Sequence, residues 1–279
     1  MVNSALILVY TALLGLNFNG FTSNEMQDWD LPLLPFNFPH IDVTSKNKTL
    51  KKIPKRIWIA VRDDQDIGAL PKHLKEFLNR NRNWSTHIVS NSMKDEFMNR
   101  TFANTSLLWA YHMINPQCGA AKADIWRYAV LYNYGGVYID DDSDIIAPLD
   151  DVINQDDELV ISYEKNGFNG NRCYIPRYHL SDFSFFNNIT NENLSKQNKD
   201  FQYVILNWLI ISAPLHPIIL RTINNLVEII RYEYLNDNVL RSLHTEYGWA
   251  AIMCATGPSL FTASIREYVL NDNYNNQVL

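Results

Sequence analysis

The chain has few cysteines, no basic tract, no apolar run long enough to span a bilayer and no internal repeat, and each absence removes a class of protein. Cys118, Cys173 and Cys254 are three in 279 residues. An odd number without metal-site spacing excludes a disulfide scaffold and a zinc ribbon, and leaves at most one bridge. Lys and Arg number 24 against 30 Asp and Glu, a formal net charge of −6. A mildly acidic chain is a poor ligand for phosphate backbones, so nucleic acid is not an expected partner. Global disorder is excluded as well, because hydrophobic residues are 47% and charged residues 19%. A chain of this length buries most of its surface without a covalent or metal staple.

The apolar stretch from Ala5 to Leu16, extended weakly by Phe18 and Phe21, is shorter than the roughly 20 residues of a membrane-spanning helix. No Lys or Arg precedes it. Residues 1–21 are expected to be a hydrophobic signal or anchor segment, giving secretory entry and membrane anchoring, with a buried N-terminal helix or strand as the alternative. Residues 22–51, interrupted by Pro32, Pro35 and Pro39 and polar towards their end, are expected to be a stem or linker. Six Asn-x-Ser/Thr sequons begin at Asn47, Asn83, Asn99, Asn104, Asn188 and Asn193. So much Asn yields several by chance, so they support a lumenal location only slightly.

From residue 52 to the C-terminus the pattern is α/β. Short apolar runs over 53–61, 86–90, 137–139, 159–163 and 203–212 predict strands or buried segments. Pro71 opens a helix over 71–79, helical spacing covers 120–134 before Gly135-Gly136, and His216-Pro217 opens a long amphipathic helix to about residue 236. Strands alternating with helices predict a mostly parallel central sheet with flanking helices.

The acidic run Asp140-Asp141-Asp142-Ser143-Asp144 follows the strand Val137-Tyr138-Ile139. Side chains two apart on a strand share a side, so Asp140 and Asp142 are expected to emerge together where ligands enter an open α/β sheet. Their mutual repulsion is relieved most simply by Mn²⁺ or Mg²⁺, whose open positions accept phosphate oxygens. A solvated acidic turn is the bland alternative, above all for Asp141 and Asp144. An EF-hand loop fails, because Ile145 and Pro148 occupy positions that need a glycine and a ligand, and no helix precedes the run. A phosphotransferase with Asp140 as nucleophile stays open as the runner-up.

Asp124 and Arg127 share one face of the preceding helix, and the Gly135-Gly136 return lays that helix against the strand bearing Asp140. An intrahelical ion pair is the simple account of them. Placed beside the carboxylates, Arg127 can also fork onto phosphate or a sugar hydroxyl, and Asp124 can accept from sugar hydroxyls.

The string Ala121-Lys122-Ala123-Asp124-Ile125-Trp126-Arg127-Tyr128, continued by Gly135-Gly136-Val137-Tyr138-Ile139-Asp140-Asp141-Asp142, resembles the DxD sugar-binding region of glycosyltransferase family 32. The likeness is greatest to the initiation-type α-1,6-mannosyltransferases of the Golgi. It extends from Ile53-Pro54-Lys55-Arg56-Ile57-Trp58 through Pro148-Leu149-Asp150, Asn207-Trp208 and Pro214-Leu215-His216-Pro217 to Thr256-Gly257-Pro258.

This resemblance implies a GT-A fold over 52–279 and a metal-dependent retaining hexosyl transfer to a glycan or glycolipid hydroxyl. The donor would be a nucleotide-sugar, GDP-mannose favoured and a UDP-sugar as the other choice, and the setting the Golgi membrane or lumen. Matched to the motif, Asp142 and Asp140 would hold the metal, and Asp140 would also touch the donor ribose and sugar. Asp124 and Arg127 would hold sugar hydroxyls, Tyr138 would line the nucleotide side, and Asn207 and Gly257 would neighbour the donor. Trp58 would stack on the base, with a core tryptophan as its equal alternative. His216 is expected to cap the helix at Pro217. No residue is an obvious nucleophile, and Glu164 is the candidate. Family members usually continue past the Thr-Gly-Pro turn, so the domain is expected to be C-terminally short, with a silent nucleotide-sugar binder as the alternative.

Overall fold

The computed structural model describes residues 6–10, 52–63, 68–143, 145–165, 203–235, 252, 255–265 and 268. The stem at 22–51, Asp144, Cys173, Cys254 and the sequons at Asn47, Asn188 and Asn193 lie outside them. The elements are β1 (Leu6–Tyr10), β2 (Arg56–Ala60), α1 (Lys72–Arg80), β3 (Ser85–Val89), α2 (Asn91–Thr101), α3 (Ser106–Met113) and α4 (Gly119–Tyr134). After these come β4 (Gly136–Asp140), α5 (Leu149–Val152), β5 (Leu159–Lys165), β6 (Tyr203–Ser212) and α6 (Pro217–Leu235). Of the expected signal or anchor segment only β1 is described, its backbone antiparallel to β5. Among the described residues no helix is long and apolar enough to cross a membrane.

One sheet in the order β1-β5-β6-β4-β2-β3 organises the molecule. β2 pairs in parallel with β3 and β4, whereas β6 is antiparallel to both β4 and β5. β2, β3, β4 and β5 therefore point the same way, the mostly parallel α/β sheet expected from the sequence, with β6 reversed inside it. The pleat sorts the apolar residues onto two faces. Ile57, Ile59, Val137, Ile139 and Ile211 pack with Leu74 and Phe77 of α1 and Leu149 of α5. Trp58, Tyr138, Ile161 and Ile210 pack on the opposite layer, which contains α2, α3, α4, α6 and helical residues 258–265.

α4 is the central helix of that layer. Every residue from Asp124 to Tyr132 is buried, because α4 lies between the sheet and α6, and a helix covered on several sides has no solvent face to make polar. It ends at Gly135, with φ of 62°, followed by Gly136 with φ of 108°. At Gly135 this φ goes with a ψ of −170°, a combination essentially reserved for glycine, and a Cβ there would meet Pro214 at 2.7 Å. A Cβ at Gly136 would meet the Arg56 carbonyl oxygen at 2.6 Å, so α4 turns directly into β4. α2 and α3 have no clear signature in hydrophobic spacing. Their beginnings are set by capping: the Ser90 Oγ accepts from the Met93 N–H and the Thr105 Oγ1 from the Leu108 N–H.

Candidate active site

After β2 the chain adds β3 on one side and later β4 on the other. Such a reversal opens a crevice at the carboxyl ends of the strands, where ligands of open α/β sheets bind. Here the crevice lies where Ala60 is in register with Asp140. β4 stops at Asp140, so the pleat does not place Asp142 as the alternation argument expected. A turn does so instead: the Ser143 N–H donates to the Asp140 carbonyl at 3.1 Å. Asp142 is exposed, and its Oδ1 accepts from the Ser143 hydroxyl at 3.4 Å. The His73 ring of α1 lies 3.3 Å from the Asp141 carbonyl oxygen and steadies the turn from the far side.

Behind Asp140 is a buried polar network. Arg127, 5% exposed, brings Nη2 to 3.0 Å from Asp124 Oδ1 and 3.2 Å from Asp140 Oδ1, and its Nη1 donates to the Asn207 carbonyl at 2.7 Å. Its guanidinium lies over the Tyr138 ring, and the Tyr138 hydroxyl donates to Asp140 Oδ1. The Asn207 side-chain amide donates to Asp124 Oδ1 at 2.9 Å, and the Thr256 hydroxyl donates to Asp124 Oδ2 at 2.8 Å. Four elements thus converge: α4 gives Asp124 and Arg127, β4 gives Tyr138 and Asp140, β6 gives Asn207, and the segment before residue 258 gives Thr256.

Burial alone would lower Arg127, but the Asp140 and Asp124 carboxylates outweigh it and keep the guanidinium firmly protonated. Burial also raises the Asp124 carboxyl against the opposing pull of Arg127, Thr256 and Asn207. In the turn, burial first and then the charges of Asp142 and Asp140 push Asp141 above the usual carboxylate range. Crowded carboxylates with spare oxygens suit a divalent cation that prefers hard ligands. No group of three or more His, Cys, Asp or Glu is gathered for a metal among the described residues. Asp140 and Asp142 are the two carboxylates of the turn that could hold Mn²⁺ or Mg²⁺ and leave positions for substrate oxygens.

Asp124, Arg127, Tyr138, Asp140 and Asn207 thus come together, and Asp142 adjoins them through the turn. Gly257 follows Thr256, its N–H donating to the Ile252 carbonyl. Trp58 is 9% exposed, stacks on His87 and Tyr134, and donates Nε1–H to the Gly135 carbonyl at 2.8 Å. That is the core position of its alternative account, although it also lines a cleft of about 410 Å³ with His87, Phe97 and Trp126. His216 caps α6 as expected, its Nδ1 accepting from the Ile218 N–H. Glu164 lies in β5 opposite Val204.

Three further residues escaped sequence reasoning. Thr256 and Tyr128 complete the network, the Tyr128 hydroxyl donating to the Thr256 carbonyl at 3.1 Å. Lys94 of α2 is only 3% exposed, and its Nζ donates to the Val61 carbonyl at 3.3 Å. The signal for Lys94 was the Ser90 cap, which starts a helix beside the crevice.

Residues 42–159 match the family model of the glycosyltransferase sugar-binding region containing a DXD motif. The matched stretch contains Trp58, Lys94, Asp124, Arg127 and the whole turn from Asp140 to Ser143. Over 265 residues the chain is 23% identical to an initiation-specific alpha-1,6-mannosyltransferase of Candida albicans, covering 92% of this chain and 63% of that protein. The chain therefore spans less than two thirds of that relative's length. Among solved structures, the PaToxG glycosyltransferase matches at TM-score 0.45 and 16% identity, covering 82% of this chain and 75% of its own. The ligand-free glycosyltransferase domain of the YGT toxin matches at TM-score 0.38 and 15% identity, covering 74% and 57%.

Proposed function

We propose that the protein is a metal-dependent glycosyltransferase that moves a hexose from a nucleotide-sugar to a glycan or glycolipid hydroxyl in the secretory pathway. Mannose is the favoured hexose, by analogy with the Candida relative named a mannosyltransferase, and GDP-mannose as its donor and retention of anomeric configuration are part of the proposal. The observation that carries it is the half-buried Asp140 carboxylate, held from behind by Arg127 and Tyr138 at the end of β4, with exposed Asp142 beside it. The sugar-binding-region match over the same residues supports it.

Asp140 and Asp142 would hold the cation, which, when bound, neutralises charge growing on the departing diphosphate. The rest is done by the chain. Arg127 and Tyr138 take one oxygen of Asp140 and so aim the other outward. Asn207 and Thr256 fix Asp124, and through it Arg127, without a mobile water in between. Donor hydroxyls arriving beside Arg127 would meet oriented dipoles at little further cost.

The test is a thermal-shift screen of nucleoside diphosphates and their sugars with and without Mn²⁺, followed by turnover with the best donor. The expected result is metal-dependent stabilisation by one nucleotide class, and release of nucleoside diphosphate. Stabilisation without release identifies a binding protein instead, and a trapped aspartyl phosphate on Asp140 identifies a phosphotransferase.

A further inference from the structure

Among the described residues, Lys94 is the one buried cation near the crevice that the network around Arg127 leaves aside. α2 begins at the carboxyl end of β3, capped by Ser90, and the side chain of Lys94 reaches the Val61 carbonyl one residue beyond β2. Because Ala60 is in register with Asp140, this ammonium lies at the same end of the sheet as the acidic turn, across the strand reversal. An ammonium has three donors, and the Val61 carbonyl takes one.

Asp95 and one oxygen of Asp140 are committed elsewhere. Asp95 accepts from the Tyr111 hydroxyl at 2.6 Å and pairs with Lys122 at 3.0 Å. Asp140 Oδ1 is taken by Arg127 and Tyr138. Arg127 of α4 repels Lys94, while Asp140 at the end of β4, Asp141 after it and Asp95 on its own helix attract it, and none of these forms an ion pair with it among the described residues. Burial and Arg127 lower its amine to about 8. A buried ammonium with a single carbonyl partner destabilises a fold, and groups held at such a cost cluster at functional sites.

We propose that Lys94 is a donor-contacting residue whose ammonium hydrogen-bonds the diphosphate of the bound nucleotide-sugar. This rests on the donor reading above. As the bond from the anomeric carbon to the diphosphate oxygen breaks, the electron pair stays on that oxygen. Lys94 then meets increased negative charge with its hydrogen bonds, without giving up a proton.

The experiment measures binding of GDP, UDP and Mn²⁺ alone by calorimetry, with thermal midpoints, for the full chain and for Lys94→Met and Lys94→Arg. The expected outcome is that Lys94→Met weakens the nucleoside diphosphate by about ten- to a hundredfold. It also binds Mn²⁺ at least as tightly as the wild type and melts higher, while Lys94→Arg keeps part of the diphosphate affinity. A Lys94→Met protein that melts lower or fails to fold makes the lysine a structural residue and overturns the proposal, as does unchanged affinity for GDP and UDP. A wild type that binds neither nucleoside diphosphate with Mn²⁺ overturns the donor reading itself, an outcome separate from the other two.

Discussion

Asp124 and Asp142 are carboxylates of one site with opposite surroundings. Asp124 is 5% exposed and engages both oxygens with Thr256, Asn207 and Arg127. Asp142 is exposed, and Ser143 is its one hydrogen-bonded partner among the described residues. A carboxylate whose oxygens are filled by the chain sets positions, whereas one with vacant lone pairs is available to a ligand. The site is therefore layered, with a buried and paired floor, in which the Arg127 Nε is left without a hydrogen-bond partner, and an exposed rim, and substitutions in the two layers differ in kind.

The floor gives the largest expected effect. Arg127→Met leaves buried Asp124 without its counter-charge beside half-buried Asp140, and is expected to cost about 3–5 kcal/mol of stability in denaturant titration. An unchanged midpoint would remove the distinction between the layers. At the rim, Asp142→Ala is expected to lower turnover by about a hundredfold or more, with the thermal midpoint nearly unchanged. Wild-type turnover in that variant would contradict the metal-binding assignment.

Lys94 sharpens the contrast through pH. Its folded value near 8 lies below the unfolded 10.5, so the unfolded chain binds more protons between those limits and stability recovers as pH rises through them. The wild type is expected to gain on the order of 2 kcal/mol across that interval relative to Lys94→Met. Parallel curves for the two proteins would show that the amine titrates normally. The smallest effect belongs to Thr256→Val, which keeps shape but removes one hydrogen bond to Asp124. A loss of about 1–2 kcal/mol is expected, with the nucleotide preference unchanged.

Much of the layout was legible in the chain. The α4–β4 unit announces itself because an apolar helical run, two glycines and a β-branched strand follow without interruption. The direction of β6 was not legible, since the apolar run over 203–212 is the same read either way and long-range pairing decides its sense. α2 and α3 were missed because their apolar residues make no clean stripe, leaving only Ser90 and Thr105 as caps. Thr256 escaped for a different reason. It is 132 positions from Asp124, and nothing local to a Thr-Gly-Pro turn names the carboxylate it will meet. The acidic run was recognisable, but the turn that aims Asp142 was not, because the end of a strand depends on its neighbours.

The return at Gly135 and Gly136 has a thermodynamic consequence. A methyl group at either position would strike the chain within 3 Å, and the Gly135 carbonyl is tied down by the Trp58 indole. Arg127 and Asp140 are thus locked in mutual orientation before anything binds. The torsional freedom surrendered on association falls on the short turn after the strand, where freezing a residue costs about 1–2 kcal/mol, so the entropic penalty of capture stays small.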